Sequence, residues 1–229
     1  MATRVYLIRH GATDLSSEDR FSGGTEVDLS SQGRWQAERL AQRLADDRIT
    51  AIYCSPMRRT VETATIIAQP HQLTPILRGE LREIHHGRWE TLQRAQVEKL
   101  YPDEYAAWQT DPFTFAPVDG ESGLSVMARA LPVVREIVVK HDNENVALVS
   151  HKATIRLLIS SLLGFDARGY RDRLDQSPAC LNILDFRDPV HARLMLFNDV
   201  SHYVDQPPYP GRHLSKWWDA QNEPAVQDS

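Results

Sequence analysis

The amino-acid sequence predicts an α/β protein, a three-layer α/β/α sandwich around a mostly parallel sheet. Short apolar runs typical of buried strands, over residues 5–8, 49–54 and 146–149, alternate along the chain with amphipathic helical patterns. This alternation favours parallel strands, right-handed crossovers and helices on both faces. Polar or charged residues come directly after each of these three runs. Since the carboxyl ends of parallel strands meet at one edge of a sheet, a ligand site is expected there.

Helices are predicted where apolar residues recur at helical spacing. One begins near Ser30, and a second should run from Pro56 to about residue 68, because Ser55 is a favoured N-cap and proline a favoured first helical residue. A third leads from 120 to about 140, where Pro132 should kink it or mark its true start. The remaining predicted elements are a helix over 155–163 and strands within 75–84, over 181–186 and over 193–197.

The chain is expected to form a single domain over residues 1–229, because this length suits one α/β domain. A helical insertion is predicted at about 91–118, too small to bury a core of its own, and an irregular tail from about 199. Trp89, Tyr105 and Trp108 either line a lid or simply pack this insertion.

Composition argues against several classes of function. A formal net charge of −5 without a Lys/Arg block argues against nucleic-acid binding, and no apolar run approaches the ~20 residues that cross a bilayer. Cys54 and Cys180 are expected to be reduced, and the first strand begins too early to leave room for a signal peptide. The sequence therefore predicts a cytoplasmic protein without a membrane or nucleic-acid partner, and an exposed sheet edge could support a homodimer.

Charged residues at the predicted strand ends indicate phosphoryl transfer. Arg9 and His10 follow the first strand, Arg58 lies in the first turn of the helix after the second, and His151 follows the third. Arginine offers a rigid fork of donors that matches phosphate oxygens, and a neutral imidazole nitrogen can attack phosphorus without a separate base. Glu83 is the best candidate for the acid that protonates the leaving oxygen.

Two neighbouring residues have other expected roles. Asp14 is the second candidate for the acid, although it more readily tethers its own loop. Gly11 follows His10 and is expected to permit unusual backbone angles there.

The chain resembles the histidine phosphatase superfamily, in its phosphoglycerate-mutase-like branch. The resemblance lies in the segments Arg9-His10-Gly11-Ala12-Thr13, Arg20-Phe21-Ser22-Gly23, Ser55-Pro56-Met57-Arg58-Arg59-Thr60-Val61-Glu62-Thr63-Ala64, Leu81-Arg82-Glu83 through Gly87, and Val149-Ser150-His151. It implies an α/β sandwich in which His10 becomes phosphorylated and Glu83 donates a proton. It further implies that Arg9, Arg58 and His151 hold the phosphate, and that neither metal nor cofactor is used.

Further contacts to phosphate or substrate are expected at Ser16, Ser22, Gly23, His86 and Lys152. The family often has Asn at the position of Ser16, and its Ser-His-Gly-Gly pattern reads Ser150-His151-Lys152-Ala153 here. Lys152 either adds positive charge for an acidic substrate or is a solvent-exposed residue at a helix start. His86 contacts substrate or packs, because adjacent histidines without a Cys or Asp set make a poor metal site.

The favoured function is hydrolysis of a small phosphomonoester, either a sugar phosphate or a phosphorylated acid. Mutases that resemble this chain carry Glu-Arg-His-Tyr-Gly and further arginine pairs, whereas this chain has Ile84 and His86 in that loop and only Arg94 and Lys99 as bases within 91–118. A cofactor-dependent phosphoglycerate mutase is the alternative enzyme. A catalytically silent phosphate-binding or scaffold protein is the alternative of another class, and the acid Glu83 argues against it.

Overall fold

A computed structural model describes residues 2–14 and 20–203 of the chain. Within these residues one six-stranded sheet has the order β3-β2-β4-β1-β5-β6. The strands are β1 (Thr3–Arg9), β2 (Ile49–Cys54), β3 (Ile76–Leu77), β4 (Asn145–Ser150), β5 (Leu181–Phe186) and β6 (Ala192–Asp199). The first four are parallel to one another, which confirms the predicted mostly parallel sheet, while β5 is antiparallel to β1 and β6 is antiparallel to β5.

Helices cover both faces of the sheet, as predicted. The helices of the described chain are α1 (Ser31–Leu44), α2 (Arg58–Ala68), α3 (Arg94–Leu100), α4 (Pro102–Thr110), α5 (Gly123–Lys140), α6 (Lys152–Leu162) and α7 (Tyr170–Arg173). Side chains of β1 alternate between two apolar layers: Val5 and Leu7 pack with α5 and α6, and Tyr6 and Ile8 with α1 and α2. The continuous apolar run of β1 is thus buried on both faces, as is typical of a central strand in a parallel sheet.

Several elements differ from their predicted bounds; α6, for example, begins at Lys152 and not at residue 155. The second helix begins at Arg58 with Met57 as N-cap, while the hydroxyl of Ser55, the predicted N-cap, accepts from Met57 N over 3.4 Å and pairs with the His151 ring. Pro132 does not mark the start of α5, which begins at Gly123 and is capped by the Ser122 side chain. β6 is longer than predicted, and the short α7 had no clear pattern in the sequence.

The predicted insertion contains α3 and α4, and its aromatic residues pack instead of lining a lid. Trp89, Tyr105 and Trp108 are buried with Val97. Phe21, from the loop before α1, completes this cluster, so the insertion shares its core with the main body. The predicted irregular tail falls mainly on residues 204–229, outside the described residues. Within the described chain, no helix combines the length and apolar character needed to cross a bilayer.

Candidate active site

His10 lies at the carboxyl end of β1 and is 6% exposed. Its backbone N–H donates to Ser150 O over 3.0 Å, so the neighbouring strand β4 fixes its position. The ring Nδ1 lies 2.7 Å from Gly11 O. Because a carbonyl oxygen only accepts, Nδ1 carries the proton and Nε2 keeps its lone pair. Burial, with help from Arg9 and Arg59, lowers the pKa of His10 well below its usual value, so the ring is neutral at pH 7.

Gly11 is needed for a close approach of two backbones, not for unusual backbone angles. Its φ is not among the positive values of the described glycines, so the expected reason is wrong. A Cβ at Gly11 would lie 2.4 Å from Gly33 O, in the first turn of α1. The loop after β1 is therefore held directly against α1.

His151 follows β4, is fully buried, and has its ring centre 5.2 Å from that of His10. Arg59 Nε donates to His151 Nδ1 over 3.3 Å. Since a guanidinium has no acceptor, Nδ1 must be unprotonated and Nε2–H must donate to Ser55 Oγ, 2.9 Å away. Burial and then Arg59 lower the pKa of His151 well below its usual value. The two imidazoles are thus both neutral and have defined tautomers.

Arg59, and not Arg58, occupies the position predicted for the second arginine. Arg59 is 2% exposed and donates to Thr25 O over 2.8 Å and to Gly23 O over 2.9 Å, besides its bond to His151. The Arg58 side chain is 69% exposed and lies 3.8 Å from Asp28, so its predicted place in the site is corrected. Both residues are in the first turn of α2, where adjacent side chains point about 100° apart.

The sequence contained a signal for Arg59. The buried stripe of α2 includes Arg59, Thr63 and Ile67, which are spaced by four residues, with Thr60 and Ala64 beside them. An arginine on the apolar face of an amphipathic helix must lie in the interior, so the helical phase distinguishes Arg59 from Arg58.

Arg9 lies at the end of β1, and its Nη1 donates to Gln176 O over 2.6 Å. Burial lowers the pKa of its guanidinium from the usual value, although cysteine, glutamate and aspartate neighbours oppose this shift. Within the described chain its buried Nε has no hydrogen-bond partner. Gln176 was not found from the sequence, because nothing local marks a main-chain carbonyl as the partner of a distant arginine.

Glu83 reaches the same edge of the sheet from the loop before the insertion. Its Oε2 accepts from Ala153 N over 3.0 Å, and its Oε1 accepts from Ile84 N over 2.9 Å and from Thr154 N over 3.2 Å. The Thr154 hydroxyl is also 3.2 Å from Oε1. The carboxyl group therefore occupies the free N–H groups at the start of α6, beside His151.

The other predicted contact residues fall in different places. His86 packs edge-on against Phe21, with ring centres 4.9 Å apart, and Lys152 pairs with Asp175 over 3.0 Å. Gly23 presents its carbonyl to Arg59, and Ser22 is half-buried next to it. Ser16 lies outside the described residues. Contact of these residues with substrate stays a prediction.

A network of hydrogen bonds fixes the loop that carries Gly23. Glu90 accepts from Gly24 N over 2.9 Å and from the Thr25 hydroxyl over 2.7 Å, while its Oε1 also accepts from His86 N. Burial opposes ionisation of Glu90, but these donors lower the pKa of its carboxyl group below the usual value. Among the residues that the structure describes, no group of three or more His, Cys, Asp or Glu could hold a metal ion.

Comparisons with known proteins show the family and the fold of the chain. The family model of the histidine phosphatase superfamily (branch 1) matches residues 5–200. Phosphoserine phosphatase 1 of Hydrogenobacter thermophilus is 34% identical over 163 residues, which cover 71% of this chain and 77% of that protein. Glucosyl-3-phosphoglycerate phosphatase of Mycobacterium tuberculosis is 34% identical over 170 residues, which cover 71% and 76% respectively. The solved structure of Bacillus stearothermophilus YhfR superposes with a TM-score of 0.82 at 30% identity, covering 88% of this chain and 99% of that one.

Proposed function

The chain belongs to the histidine phosphatase superfamily, and from that premise we propose that it hydrolyses small phosphomonoesters through a phosphohistidine on His10. The observation that carries the proposal is the state of His10: a buried, neutral ring whose Nδ1–H is held by Gly11 O, which leaves Nε2 as the nucleophile. A neutral imidazole in this tautomer attacks phosphorus without first losing a proton.

The proposed reaction has two displacements at phosphorus. In the first, His10 Nε2 forms a bond to phosphorus as the bond to the alcohol oxygen breaks, and Glu83 gives its proton to that oxygen. In the second, water attacks the phosphohistidine, Glu83 takes a proton from the water, and the N–P bond breaks to release inorganic phosphate. The residue that acts as acid in one step thus acts as base in the next.

Three groups are proposed to stabilise the charge on the phosphoryl oxygens. Arg9 has a buried Nε without a partner in the described chain, which supports a role as phosphate donor. Arg59 and His151 are joined by the Nε–Nδ1 hydrogen bond, and His151 is proposed to turn its Nε2–H from Ser55 Oγ to a phosphoryl oxygen when substrate binds. Fixed donors in a site with little water stabilise a charged transition state more strongly than donors in solvent.

Hydrolysis is favoured over mutase transfer by the surroundings of Ile84. This side chain is 3% exposed and packs with Val126, Leu157 and Tyr170. A mutase must retain its monophosphate until the phosphoryl group returns, which requires cations beyond the phosphate site. An apolar side chain supplies none, so the phosphorylated enzyme is expected to lose its product and admit water.

A rapid-quench experiment tests the proposal. Brief incubation with a ³²P-labelled phosphomonoester should leave label on His10 that is lost in acid and survives base, because protonation of the nitrogen activates an N–P bond. His10→Ala should carry no label and release no phosphate. Acid-stable label, or label that persists in His10→Ala, would contradict the assignment.

Two other outcomes would favour the alternative functions. A transfer rate between 2- and 3-phosphoglycerate that exceeds phosphate release and depends on added bisphosphate would favour the mutase. Phosphate binding without turnover would favour the scaffold.

The substrate is proposed to be a small phosphorylated acid or sugar phosphate. Two relatives are named for phosphoserine and for glucosyl-3-phosphoglycerate, both of which are small phosphorylated metabolites. The absence of a nucleic-acid partner, the cytoplasmic location, the homodimer and the lack of a cofactor stay predictions from the sequence.

A further inference from the structure

Lys152, Arg156 and Asp175 form a charged cluster beside the phosphate site. Lys152 Nζ lies 3.0 Å from Asp175 Oδ1, and Arg156 Nη2 donates to the same oxygen over 2.9 Å. Arg156 is 7% exposed, whereas about a third of the Lys152 side chain is exposed. Two cations thus share one carboxylate, and the cluster keeps one net positive charge, with Lys152 as its accessible member.

The cluster is unfavourable for α6, which indicates that it is there for a reason other than helix stability. Lys152 is the first residue of α6, where the helix dipole disfavours a cation. Arg156 follows four residues later on the same face, and like charges at this spacing destabilise a helix. The common exposed lysine at a helix start does not account for this arrangement.

The cluster adjoins the groups that are proposed to hold the phosphate. Lys152 directly follows His151, and Asp175 directly precedes Gln176, whose carbonyl accepts from Arg9. Arg9 and Arg156 each lower the pKa of the Lys152 ammonium by repulsion, so the three cations act on one another. A substrate whose phosphate contacts Arg9 therefore has Lys152 within reach of its next few atoms.

We propose that Lys152 binds a carboxylate of the substrate, a few bonds from the phosphate, and so selects phosphorylated carboxylic acids over neutral phosphomonoesters. The inference rests on the proposed phosphatase function and specifies its substrate class. One net positive charge matches a monoanion such as a carboxylate. A second phosphate, as a dianion, would keep an unmatched negative charge.

The test compares 3-phosphoglycerate with glycerol 3-phosphate, which has a hydroxymethyl group in place of the carboxylate. The ratio of their kcat/KM values isolates the carboxylate, because both have the same phosphate ester. In Lys152→Met this ratio should fall roughly tenfold, the scale of one lost hydrogen bond between charged groups. Asp175 keeps Arg156 as its partner in this variant, so no buried carboxylate is left unpaired.

Two further variants show whether charge at this position is responsible. Lys152→Arg should retain most of the ratio. Lys140→Met should retain all of it, because Lys140 is the last residue of α5, at the edge of the sheet opposite the site. Where turnover of either ester is too slow to measure, its Ki against hydrolysis of p-nitrophenyl phosphate replaces kcat/KM.

The pH dependence provides a readout that a purely structural role would not change. Burial, followed by repulsion from Arg156 and Arg9, lowers the pKa of Lys152 to about 8, and the opposite pull of Asp175 does not cancel this. The ammonium therefore loses its proton as the pH rises through about 8. In the wild type the ratio should decline toward the Lys152→Met value between pH 7 and 9.5, whereas in Lys152→Arg it should stay level. Both esters share the titrations of phosphate and of the catalytic groups, so these cancel in the ratio.

The outcomes separate this inference from the function on which it rests. A wild-type ratio that equals that of Lys152→Met, or a ratio that is independent of pH in the wild type, would overturn the carboxylate site while leaving the phosphatase intact. Absence of phosphate release from both esters and from p-nitrophenyl phosphate would overturn the proposed function itself.

Discussion

At the scale of single residues, the chemistry of the site depends on which nitrogen of each buried imidazole carries the proton. Gly11 O fixes the proton of His10 on Nδ1, and Arg59 fixes that of His151 on Nε2. Neither tautomer can change without leaving a buried polar group unpaired, which costs roughly 1–3 kcal/mol. Arg59 therefore acts both through its charge and through the tautomer that it imposes on His151.

The paired substitutions Arg59→Lys and Arg58→Lys test the role of Arg59. Lysine keeps the charge of Arg59 but cannot bond His151, Gly23 and Thr25 in one plane, so kcat/KM should fall at least about tenfold and inhibition by vanadate should weaken. Arg58→Lys, on the exposed side of the same helical turn, should stay within about twofold of the wild type. Thermal unfolding of both variants shows whether they remain folded. Equal losses in the two variants would contradict the assignment of Arg59 over Arg58.

At the scale of elements, the site is held by direct contact between a loop and a helix. The loop after β1 touches the first turn of α1 at two glycines, Gly11 and Gly33, each of which leaves no space for a Cβ. Ser30 strengthens the contact, because its hydroxyl donates to Ala12 O over 3.1 Å and accepts from Gly33 N over 3.1 Å. The cap of α1 thus also positions the segment that follows His10.

Gly11→Ala should separate this loop from α1. The added methyl group would lie 2.4 Å from Gly33 O, and neither backbone can move without displacing the other, so we expect a loss of about 1–3 kcal/mol in the free energy of unfolding and a lower kcat. Gly79→Ala is the matched control, because nothing lies within 4 Å of a Cβ there and its φ is not positive. Urea denaturation at pH 7.5 measures both. A Gly11→Ala protein as stable as the wild type would show that the contact is not tight.

At the scale of the whole molecule, burying two neutral histidines links the stability of the fold to pH. In the folded state the pKa values of His10 and His151 lie well below 6.5, whereas in the unfolded chain both rings take up protons below about pH 6.5. The unfolded state then binds more protons, so the free energy of unfolding falls as the pH decreases from about 6.5. Each ring contributes at most about 1.4 kcal/mol for each pH unit.

Replacing one of these rings should reduce that dependence. Between pH 6.5 and 5, His10→Gln should lose up to about 1.4 kcal/mol per pH unit of the wild-type slope, since glutamine takes up no proton in either state. His191→Gln is the control, because the His191 side chain is 64% exposed. Urea unfolding at several pH values gives the slopes. Equal slopes in the wild type and in His10→Gln would show that His10 is protonated in the folded protein as well.

The sequence by itself determined the elements and most of the proposed catalytic residues. His10 and His151 each end a short apolar run, and Glu83 lies in a loop with a family pattern, so local sequence was sufficient to select them. Once alternating strands and helices predict a parallel sheet, the strand ends must meet at one edge. That edge is where the structure has His10 and His151 with their rings 5.2 Å apart.

Only the tertiary structure decided which side chains meet across long separations in the chain. The helical phase of α2 points Arg59 inward, but its bonds to His151, Gly23 and Thr25 join segments that are far apart in the chain. Gly11 faces Gly33, Arg9 bonds Gln176, and Lys152 pairs with Asp175. These contacts depend on how loops and helices pack on the sheet. The sequence does not predict them, because packing distances, unlike strand and helix periodicity, are not local properties of the chain.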